Sequence, residues 1–237
     1  RGGRPMLRFM LDRLAGLSGT RLVVATSDYS ADDAVAKIAT DAGVDIVRGP
    51  EADVLERFRI ASEAFPAPTV VRLTGDCPLV DPEVVAATIA VHRDRAADYT
   101  CNVLPRTFPK GLDVEVVTRT ALLEAAREAT DPAEREHVTP FIHQQPGRFK
   151  IGNYAGAQNL SHLRWTVDET LDFELIRQIY ESLYPTKPDF NTDDVLALLD
   201  RRPELKTLNT AYARNEGYQR SLAKDVARAD RKKEEPN

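Results

Sequence analysis

Hydrophobic residues recur along the first third of the chain with two different periods. Leu7, Met10, Leu11 and Leu14 are three or four positions apart, which predicts an opening helix that begins near Pro5. Short apolar runs that end in polar turn residues, a pattern typical of buried strands, occupy residues 21–26, 45–47 and 69–73. Helical patterns separate these runs. The alternation predicts an α/β fold with a mainly parallel sheet that is covered by helices on both faces.

The pattern loosens after residue 102. Residues 104–110 are typical of a loop, and residues 112–117 alternate like a strand that can be antiparallel to its neighbours. Further strands are expected at residues 149–154 and 163–166. A long helix follows, because apolar residues at helical spacing form one face, namely Leu171, Leu175, Ile176, Ile179 and Leu183.

No linker or internal repeat divides the sequence. We therefore predict one domain over residues 1–212, followed by a charged helical tail over residues 213–237 that frays. An opening helix with no strand before it is unusual in an alternating α/β fold, because such a helix needs a sheet to cover. We accordingly expect that the first strand of the fold is missing from this sequence.

Composition narrows the class of protein. The chain has 237 residues and a net charge of −5, which argues against a nucleic-acid partner. Cys77 and Cys101, its two cysteines, cannot form a disulfide framework, so a reducing and hence cytoplasmic location fits best. No apolar run approaches the roughly 20 residues needed to span a bilayer, and no membrane association is expected.

One acidic residue follows a predicted buried strand directly. Asp76 comes after residues 69–73, and Gly75 allows the backbone to turn there and approach a ligand closely. Open α/β sheets bind ligands at the carboxyl ends of their strands, and Mg²⁺ usually takes one or two carboxylates together with phosphate oxygens. The alternative is that Asp76 only closes an Asx-turn.

A second acidic residue occupies an equivalent junction. Asp168 follows the apolar residues 163–166 and precedes a helix. Its ordinary explanation is N-capping, which does not exclude a role as a metal ligand. Two carboxylates at strand-to-helix junctions favour a metal site more than either carboxylate alone.

Several strings in the right order resemble a known family. They are RLTGDCPLVDP, PRTFPKGLDVEV, EREHVTPFI, HLRWTVDETLDFE and RNEGYQRS. Together they are similar to the spore-coat polysaccharide biosynthesis family of cytidylyltransferase-like proteins, which belongs with the acylneuraminate and 3-deoxy-manno-octulosonate cytidylyltransferases. The resemblance spans nearly the whole chain. It implies a glycosyltransferase-A-like, Rossmann-like nucleotidyltransferase fold and a possible homodimer.

The resemblance also implies a reaction and its site. A sugar hydroxyl would attack the α-phosphate of CTP and release pyrophosphate, and the sugar would be acidic or an amino sugar. Asp76 and Asp168 correspond to the two aspartates that bind Mg²⁺ in the family, and Asp113 resembles a position that contacts the sugar. A glycosyltransferase of the same fold, and a nucleotide-binding module without turnover, remain alternatives; Thr74-Gly75-Asp76 lacks the first acid of the Asp-X-Asp motif that such glycosyltransferases use.

Basic residues in the loop at 104–110 are further candidates. Arg106 and Lys110 are assigned to the acidic sugar or to the phosphates, since arginine binds carboxylates with a planar fork and lysine supplies a point charge. The alternative is a solvated basic loop. Cys77 is interpreted as a packing residue, and the role of His137 in EREHVTP stays open between general base and structural histidine.

Residues on the first strands are candidates for contacts to the nucleotide. Thr26, Ser27 and Asp28 end the strand at 21–26 and can face the base or the ribose. Asp53 and Arg57 lie one helical turn apart, either near the base or as an i,i+4 surface ion pair.

The sequence departs from the family at its start. Members begin with a strand and a glycine- and arginine-rich loop that wraps the triphosphate, whereas this chain joins the pattern just after that loop. We expect the chain as it stands to be destabilised and poorly active.

Overall fold

The computed structural model describes residues 3–210. The strands, in chain order, are β1 (Val23–Ser27), β2 (Asp45–Gly49), β3 (Thr69–Arg72), β4 (Tyr99–Cys101), β5 (Glu115–Thr118) and β6 (Ile151–Asn153). The helices are α1 (Met6–Leu14), α2 (Asp33–Asp41), α3 (Val54–Ala64), α4 (Pro82–Arg95), α5 (Arg119–Glu128), α6 (Pro132–His137), α7 (Pro140–His143), α8 (Thr170–Leu183), α9 (Thr192–Arg201) and α10 (Glu204–Thr207). A short 3₁₀ turn precedes α2.

Short polar side chains fix where many of these helices begin. Each of them accepts a hydrogen bond from a backbone amide that the first helical turn leaves unpaired: Asp53 at α3, Asp81 at α4, Thr118 at α5, Asp131 at α6 and Asn191 at α9. The local sequence therefore positions the loops that precede the helices. Two segments of the candidate site, residues 74–77 before α4 and residues 163–168 before α8, belong to such loops.

The strands form two separate sheets. β1 pairs with β2 in parallel, and a second sheet has the order β3-β5-β4-β6. β5 runs antiparallel to both of its neighbours, whereas β4 and β6 are parallel. The α/β fold is confirmed. Within the described residues, three of the four strands of the larger sheet, β3, β4 and β6, run in one direction, and β5, which the sequence allowed to be antiparallel, runs against them. β5 is reversed because the connection from β4 to β5 contains no helix and brings the chain straight back.

A cleft separates the two sheets. It has a volume of about 1230 Å³ and is bounded by β1 on one side and β3 on the other, with side chains such as Leu11, Val24, Val71 and Ile89 in its wall. In the part of the chain that the structure describes, β1 pairs only with β2 and β3 only with β5, so each strand presents an open edge. The cleft is therefore an apolar space between two open strand edges. The expected additional strand stays a prediction.

Two further expectations have mixed outcomes. Residues 163–166 do not form a regular strand; a single parallel bridge joins Arg164 to Lys110. The apolar face predicted for α8 is largely buried, at Leu175, Ile176, Ile179 and Leu183, although Leu171 is exposed.

The predicted tail at residues 213–237 lies outside the described residues. Within residues 3–210, no helix is both long enough and apolar enough to cross a bilayer.

Candidate active site

The turn that follows β3 presents Asp76 at the carboxyl end of a strand. The Cys77 amide donates to the Thr74 carbonyl at 3.2 Å and closes the turn, and Gly75 is exposed at its tip. Asp76 is only partly buried, while Cys77 and the next three residues are buried and anchor the turn in the core. The carboxylate is thus held by a rigid support and remains accessible.

The same turn lies directly against the segment that carries Asp168. The Thr166 hydroxyl donates to Asp76 Oδ2 at 3.0 Å, and the Val167 amide donates to the Asp76 carbonyl at 2.8 Å. Val167 precedes Asp168 immediately. The structure therefore brings the two predicted carboxylates into one region, although they are 92 positions apart in the sequence.

Two cationic side chains converge on Asp168. Its Oδ2 accepts from Arg164 Nη2 at 2.8 Å and from Lys110 Nζ at 3.3 Å. The Asp168 side chain is 36% exposed, so these contacts are accessible to solvent. Lys110 was predicted as a site residue and lies beside the carboxylate; Arg164 was missed, although its i,i+4 spacing to Asp168 was a readable signal.

Gly111 allows the loop of Lys110 to lie against the Asp168 segment. The Lys110 amide donates to the Leu163 carbonyl, and the Trp165 amide donates to the Lys110 carbonyl at 2.6 Å. Gly111 has φ +107°, and a β-carbon there would stand 2.5 Å from backbone atoms of Trp165 and Thr166. Only glycine fits this position.

Arg106 and Asp113 bind each other at the outer side of this loop. Arg106 donates to both carboxylate oxygens of Asp113, at 2.5 and 2.7 Å. Although burial of Arg106 works against its charge, the bonds to Asp113 raise its pKa above the usual value. Burial, together with the negative charges of Asp76 and Asp113, raises the pKa of the Cys77 thiol well above its usual value. Cys77 is therefore a protonated, packed thiol, as the sequence indicated.

The residues at the end of β1 are engaged within their own loop. The Thr26 hydroxyl and the Ser27 amide both donate to Asp32 Oδ2, at 2.7 and 3.0 Å. These bonds from Ser27 and Thr26 lower the pKa of Asp32. Thr26 and Ser27 are buried, whereas Asp28 is exposed. Of the three predicted residues, Asp28 has the side chain most accessible to a nucleotide.

Asp53 and Arg57 do not form the ion pair that their spacing indicates. Asp53 caps α3 and binds Arg135 Nε at 2.7 Å, and Arg135 also donates to two carbonyls at the end of α5. Asp53 and Arg135 thus join α3 to α6, a contact that the local sequence does not reveal. Arg57 instead lines the cleft between β1 and β3.

The carboxylates lie outside the cleft between β1 and β3. Its lining reaches Thr74 and Gly75 but does not include Asp76 or Asp168. A mainly apolar space suits polypeptide or a base better than a triphosphate. We therefore place the candidate active site at the surface formed by the turn at residues 74–77, the loop at 106–113 and the segment at 163–168.

The donor set at this surface suits a metal ion that arrives with a phosphate-bearing substrate. Among residues 3–210, no group of three or more histidine, cysteine, aspartate or glutamate side chains is arranged to hold a metal. Two carboxylates, at Asp76 and Asp168, are what Mg²⁺ requires when phosphate oxygens and water complete its octahedron. The residues present therefore fit a metal–nucleotide complex.

The chain is similar to known proteins over most of its length. The sequence model of a family described as cytidylyltransferase matches residues 2–217. The spore coat polysaccharide biosynthesis protein SpsF of Bacillus subtilis is 33% identical over 189 residues, which cover 78% of this chain and 77% of SpsF. The 3-deoxy-manno-octulosonate cytidylyltransferase of Anaeromyxobacter dehalogenans is 28% identical over 162 residues, which cover 65% of this chain and 63% of that protein.

A solved structure gives the same answer for the fold. The cytidylyltransferase from Leptospira borgpetersenii superposes with a TM-score of 0.82 at 28% identity, and the match covers 90% of each chain. The family match includes the residues that form the surface around Asp76 and Asp168. The chain belongs to the cytidylyltransferase family and is a nucleotidyltransferase.

Proposed function

We propose that this protein transfers a cytidylyl group from CTP to an acidic or amino sugar, with Mg²⁺, and releases pyrophosphate. The observation that carries the proposal is the contact between the Asp76 turn and the segment of Asp168, through Thr166 and Val167. The names of the relatives support a sugar as the acceptor, since one is a 3-deoxy-manno-octulosonate cytidylyltransferase and another acts in spore coat polysaccharide biosynthesis. The product would supply the synthesis of a surface polysaccharide or glycoconjugate.

The chemistry is an in-line displacement at phosphorus. The sugar hydroxyl oxygen bonds to the α-phosphorus of CTP, and the bond from that phosphorus to the bridging oxygen breaks. Pyrophosphate leaves with the electron pair, and the hydroxyl proton passes to solvent. When bound, Mg²⁺ neutralises phosphate charge and organises the triphosphate, and Asp76 and Asp168 are the residues that would hold it.

Lys110 and Arg106 supply positive charge to the same surface. In the structure they neutralise Asp168 and Asp113, and their side chains are 22% and 27% exposed. Substrate groups can replace these contacts: a phosphate oxygen for Lys110, and for Arg106 a sugar carboxylate, which matches the planar guanidinium. Asp113, once released, would accept hydrogen bonds from sugar hydroxyl groups.

The remaining predicted residues would serve the nucleotide. Asp28 is exposed just after β1, Arg57 lines the cleft beside β1, and Gly75 leaves room for the close approach of a phosphate. Thr26, Ser27 and Asp53 act through the loops that they hold. Both cysteines are free thiols, which fits a reducing, cytoplasmic location. Association into a homodimer is also proposed, and light scattering coupled to size exclusion checks it.

The test uses Asp76→Asn and Asp168→Asn. Each variant should lower Mg²⁺-dependent release of pyrophosphate from CTP by at least about 100-fold, because one carboxylate ligand is lost while the fold is kept. Asp200→Asn is the matched control, since Asp200 is a surface carboxylate, 73% exposed and paired only with Lys206 among the described contacts. Candidate acceptors are 2-keto-3-deoxy sugar acids and amino sugars.

The outcome for each carboxylate is decided separately. Activity within tenfold of wild type in either variant removes that residue from the site. Release of a nucleoside diphosphate from a sugar nucleotide, without pyrophosphate from CTP, identifies a glycosyltransferase instead. Binding of CTP with no product from any acceptor favours a module without turnover.

A further inference from the structure

Behind Asp168 lies a buried ionic cluster that the proposed reaction does not itself require. Arg164 donates to Asp172 Oδ1 at 2.9 Å through Nε and to Asp172 Oδ2 at 2.7 Å through Nη2. The Arg164 side chain is 8% exposed and that of Asp172 is fully buried. Asn209 adds a bond from its amide nitrogen to Asp172 Oδ1 at 2.8 Å and another to the Arg164 carbonyl at 2.9 Å.

The cluster holds both the backbone and the side chain of Asp168. Asp172 Oδ2 accepts from the amides of Asp168 and Glu169, at 3.2 and 3.1 Å, at the start of α8. The same guanidinium nitrogen of Arg164 that binds Asp172 also donates to the Asp168 carboxylate at 2.8 Å. Arg164 is thus shared between two carboxylates, of which one is buried and the other faces solvent.

The charges explain why this sharing matters. Arg164 and Lys110 carry two positive charges, and Asp168 and Asp172 carry two negative charges, so the group is balanced. Arginine stays protonated in proteins, so Arg164 is a cation here. Without the charge of Asp172, Arg164 and Lys110 would together carry one positive charge more than the carboxylate of Asp168 neutralises. Both would bind Asp168 more tightly, and the excess positive charge would oppose an incoming metal ion.

We propose that Asp172 is a positioning residue that acts as the counter-ion of Arg164 and thereby keeps the Asp168 carboxylate available for a divalent cation bound with CTP. This inference rests on the proposed function. Asp172 touches neither substrate nor metal; its effect passes through Arg164 and through the two backbone amides at the start of α8. The proposed role concerns metal affinity and is additional to the capping of α8, which Asp172 also provides.

The first measurement needs no turnover. Binding of Mn²⁺ to the full chain in the presence of CTP is followed by the electron paramagnetic resonance signal of free Mn²⁺. Asp172→Asn keeps the volume of the side chain and removes its charge, so we expect the Kd for Mn²⁺ to rise about tenfold. The Mg²⁺ concentration that gives half-maximal pyrophosphate release should rise by the same factor, with the rate recovered at high Mg²⁺.

The matched control is Asp194→Asn. Asp172 and Asp194 are each the third residue of a helix, α8 and α9, and each accepts a hydrogen bond from the amide of the residue that caps that helix. Asp194 accepts from the Asn191 amide at 2.9 Å and pairs with Lys187. This variant removes an equivalent cap and ion pair away from Asp168. It should leave the Kd for Mn²⁺ within twofold of wild type.

A double variant separates the counter-ion role from a merely structural one. Arg164→Met/Asp172→Asn removes the guanidinium that would otherwise neutralise Asp168, so its metal affinity should return to within about threefold of wild type. If Asp172 only supports the fold, the double variant is as impaired as the single one or worse. Should Asp172→Asn fail to fold, the double variant alone decides, and a tenfold loss of affinity there overturns the inference.

The two proposals fail in distinguishable ways. If wild type binds Mn²⁺ with CTP and releases pyrophosphate, but Asp172→Asn binds Mn²⁺ equally well, only the role of Asp172 is overturned. If wild type neither binds Mn²⁺ with CTP nor releases pyrophosphate, the proposed function is overturned and this inference with it.

Discussion

Gly111 places its α-carbon against the backbone of Trp165 and Thr166, and the loop of Lys110 depends on that approach. Gly111→Ala would add a β-carbon 2.5 Å from those backbone atoms, at φ +107°. We expect a loss of about 2 kcal/mol in the free energy of unfolding. A fall in pyrophosphate release that exceeds the effect on folding is also expected, because Lys110 and Asp168 move apart.

A glycine whose conformation and surroundings do not require glycine provides the comparison. A β-carbon added at Gly147 would meet no heavy atom within 4 Å, and the φ of Gly147 lies outside the left-handed region. Gly147→Ala should therefore leave urea unfolding and pyrophosphate release near wild type. If Gly111→Ala behaves like Gly147→Ala, the close approach of the two segments is not required.

Some residue-scale predictions depended on partners that are distant in sequence. Asp76 is a candidate because it follows a strand and a glycine, which are local signals. The sequence does not predict the pairing of Asp53 with Arg135, because the two are 82 positions apart and meet only when α3 packs against α6. The sequence places Asp172 in the first turn of a helix. Its burial with Arg164 and Asn209 arises only when α8 packs against the preceding segment.

At the scale of elements, a buried carboxylate joins three strands. Glu115 of β5 binds Arg72 of β3 and accepts from the Tyr99 hydroxyl of β4 at 2.7 Å. Burial of Glu115 works against its charge, but Arg72, Thr139 and Tyr99 hold its pKa below the usual value. Glu115 is thus a charged group inside the mixed sheet and links β3, β5 and β4.

Truncation of that carboxylate should be severe. Glu115→Ala leaves Arg72 without its partner in a site where the side chain is 17% exposed, so we expect a loss of about 3 kcal/mol in the free energy of unfolding, measured by urea denaturation. Arg72→Met/Glu115→Leu should regain most of it. Glu174→Ala, which breaks an exposed pair with Arg177, should change little, and an equal loss there would contradict the argument.

Periodicity predicted helices better than it predicted the sheet. The 3.6-residue pattern located α1 and α8, since each helix buries a single stripe whose spacing is set within the helix. The order and direction of strands depend on how connections return the chain, and the loop between β4 and β5 reverses it. Residues 163–166 resemble a strand in composition, yet they are held by one bridge and by side-chain contacts.

At the scale of the whole molecule, the buried His92 and the partly buried His143 contribute to the response to acid. Burial lowers the pKa of His92, against the opposing charge of Asp98, and burial lowers the pKa of His143, against that of Glu115; the usual value for both is 6.5. Above pH 6.5 both histidines are neutral in the folded chain and in the unfolded chain. Below pH 6.5 they bind protons in the unfolded chain more readily than in the folded chain, so the free energy of unfolding falls.

The expected size of this effect is at most about 1.4 kcal/mol per histidine for each pH unit below 6.5. Urea midpoints at pH 7.5, 6.5 and 5.5 measure it. His92→Gln/His143→Gln should flatten the dependence between pH 6.5 and 5.5 and leave it unchanged between 7.5 and 6.5. A double variant as sensitive to acid as wild type would assign the loss to other groups.

The apolar cleft between β1 and β3 offers this chain a place to bind another extended segment. Partly buried valine and leucine side chains line its walls, and the two strand edges beside it present backbone groups that can pair with another chain. The fluorescence of an apolar dye should therefore increase when the dye binds the native protein. Added extended peptides rich in valine should displace the dye and lower the fluorescence. Concentrated samples should self-associate through those edges, so dilute, cold storage with a mild detergent will keep the molecules apart.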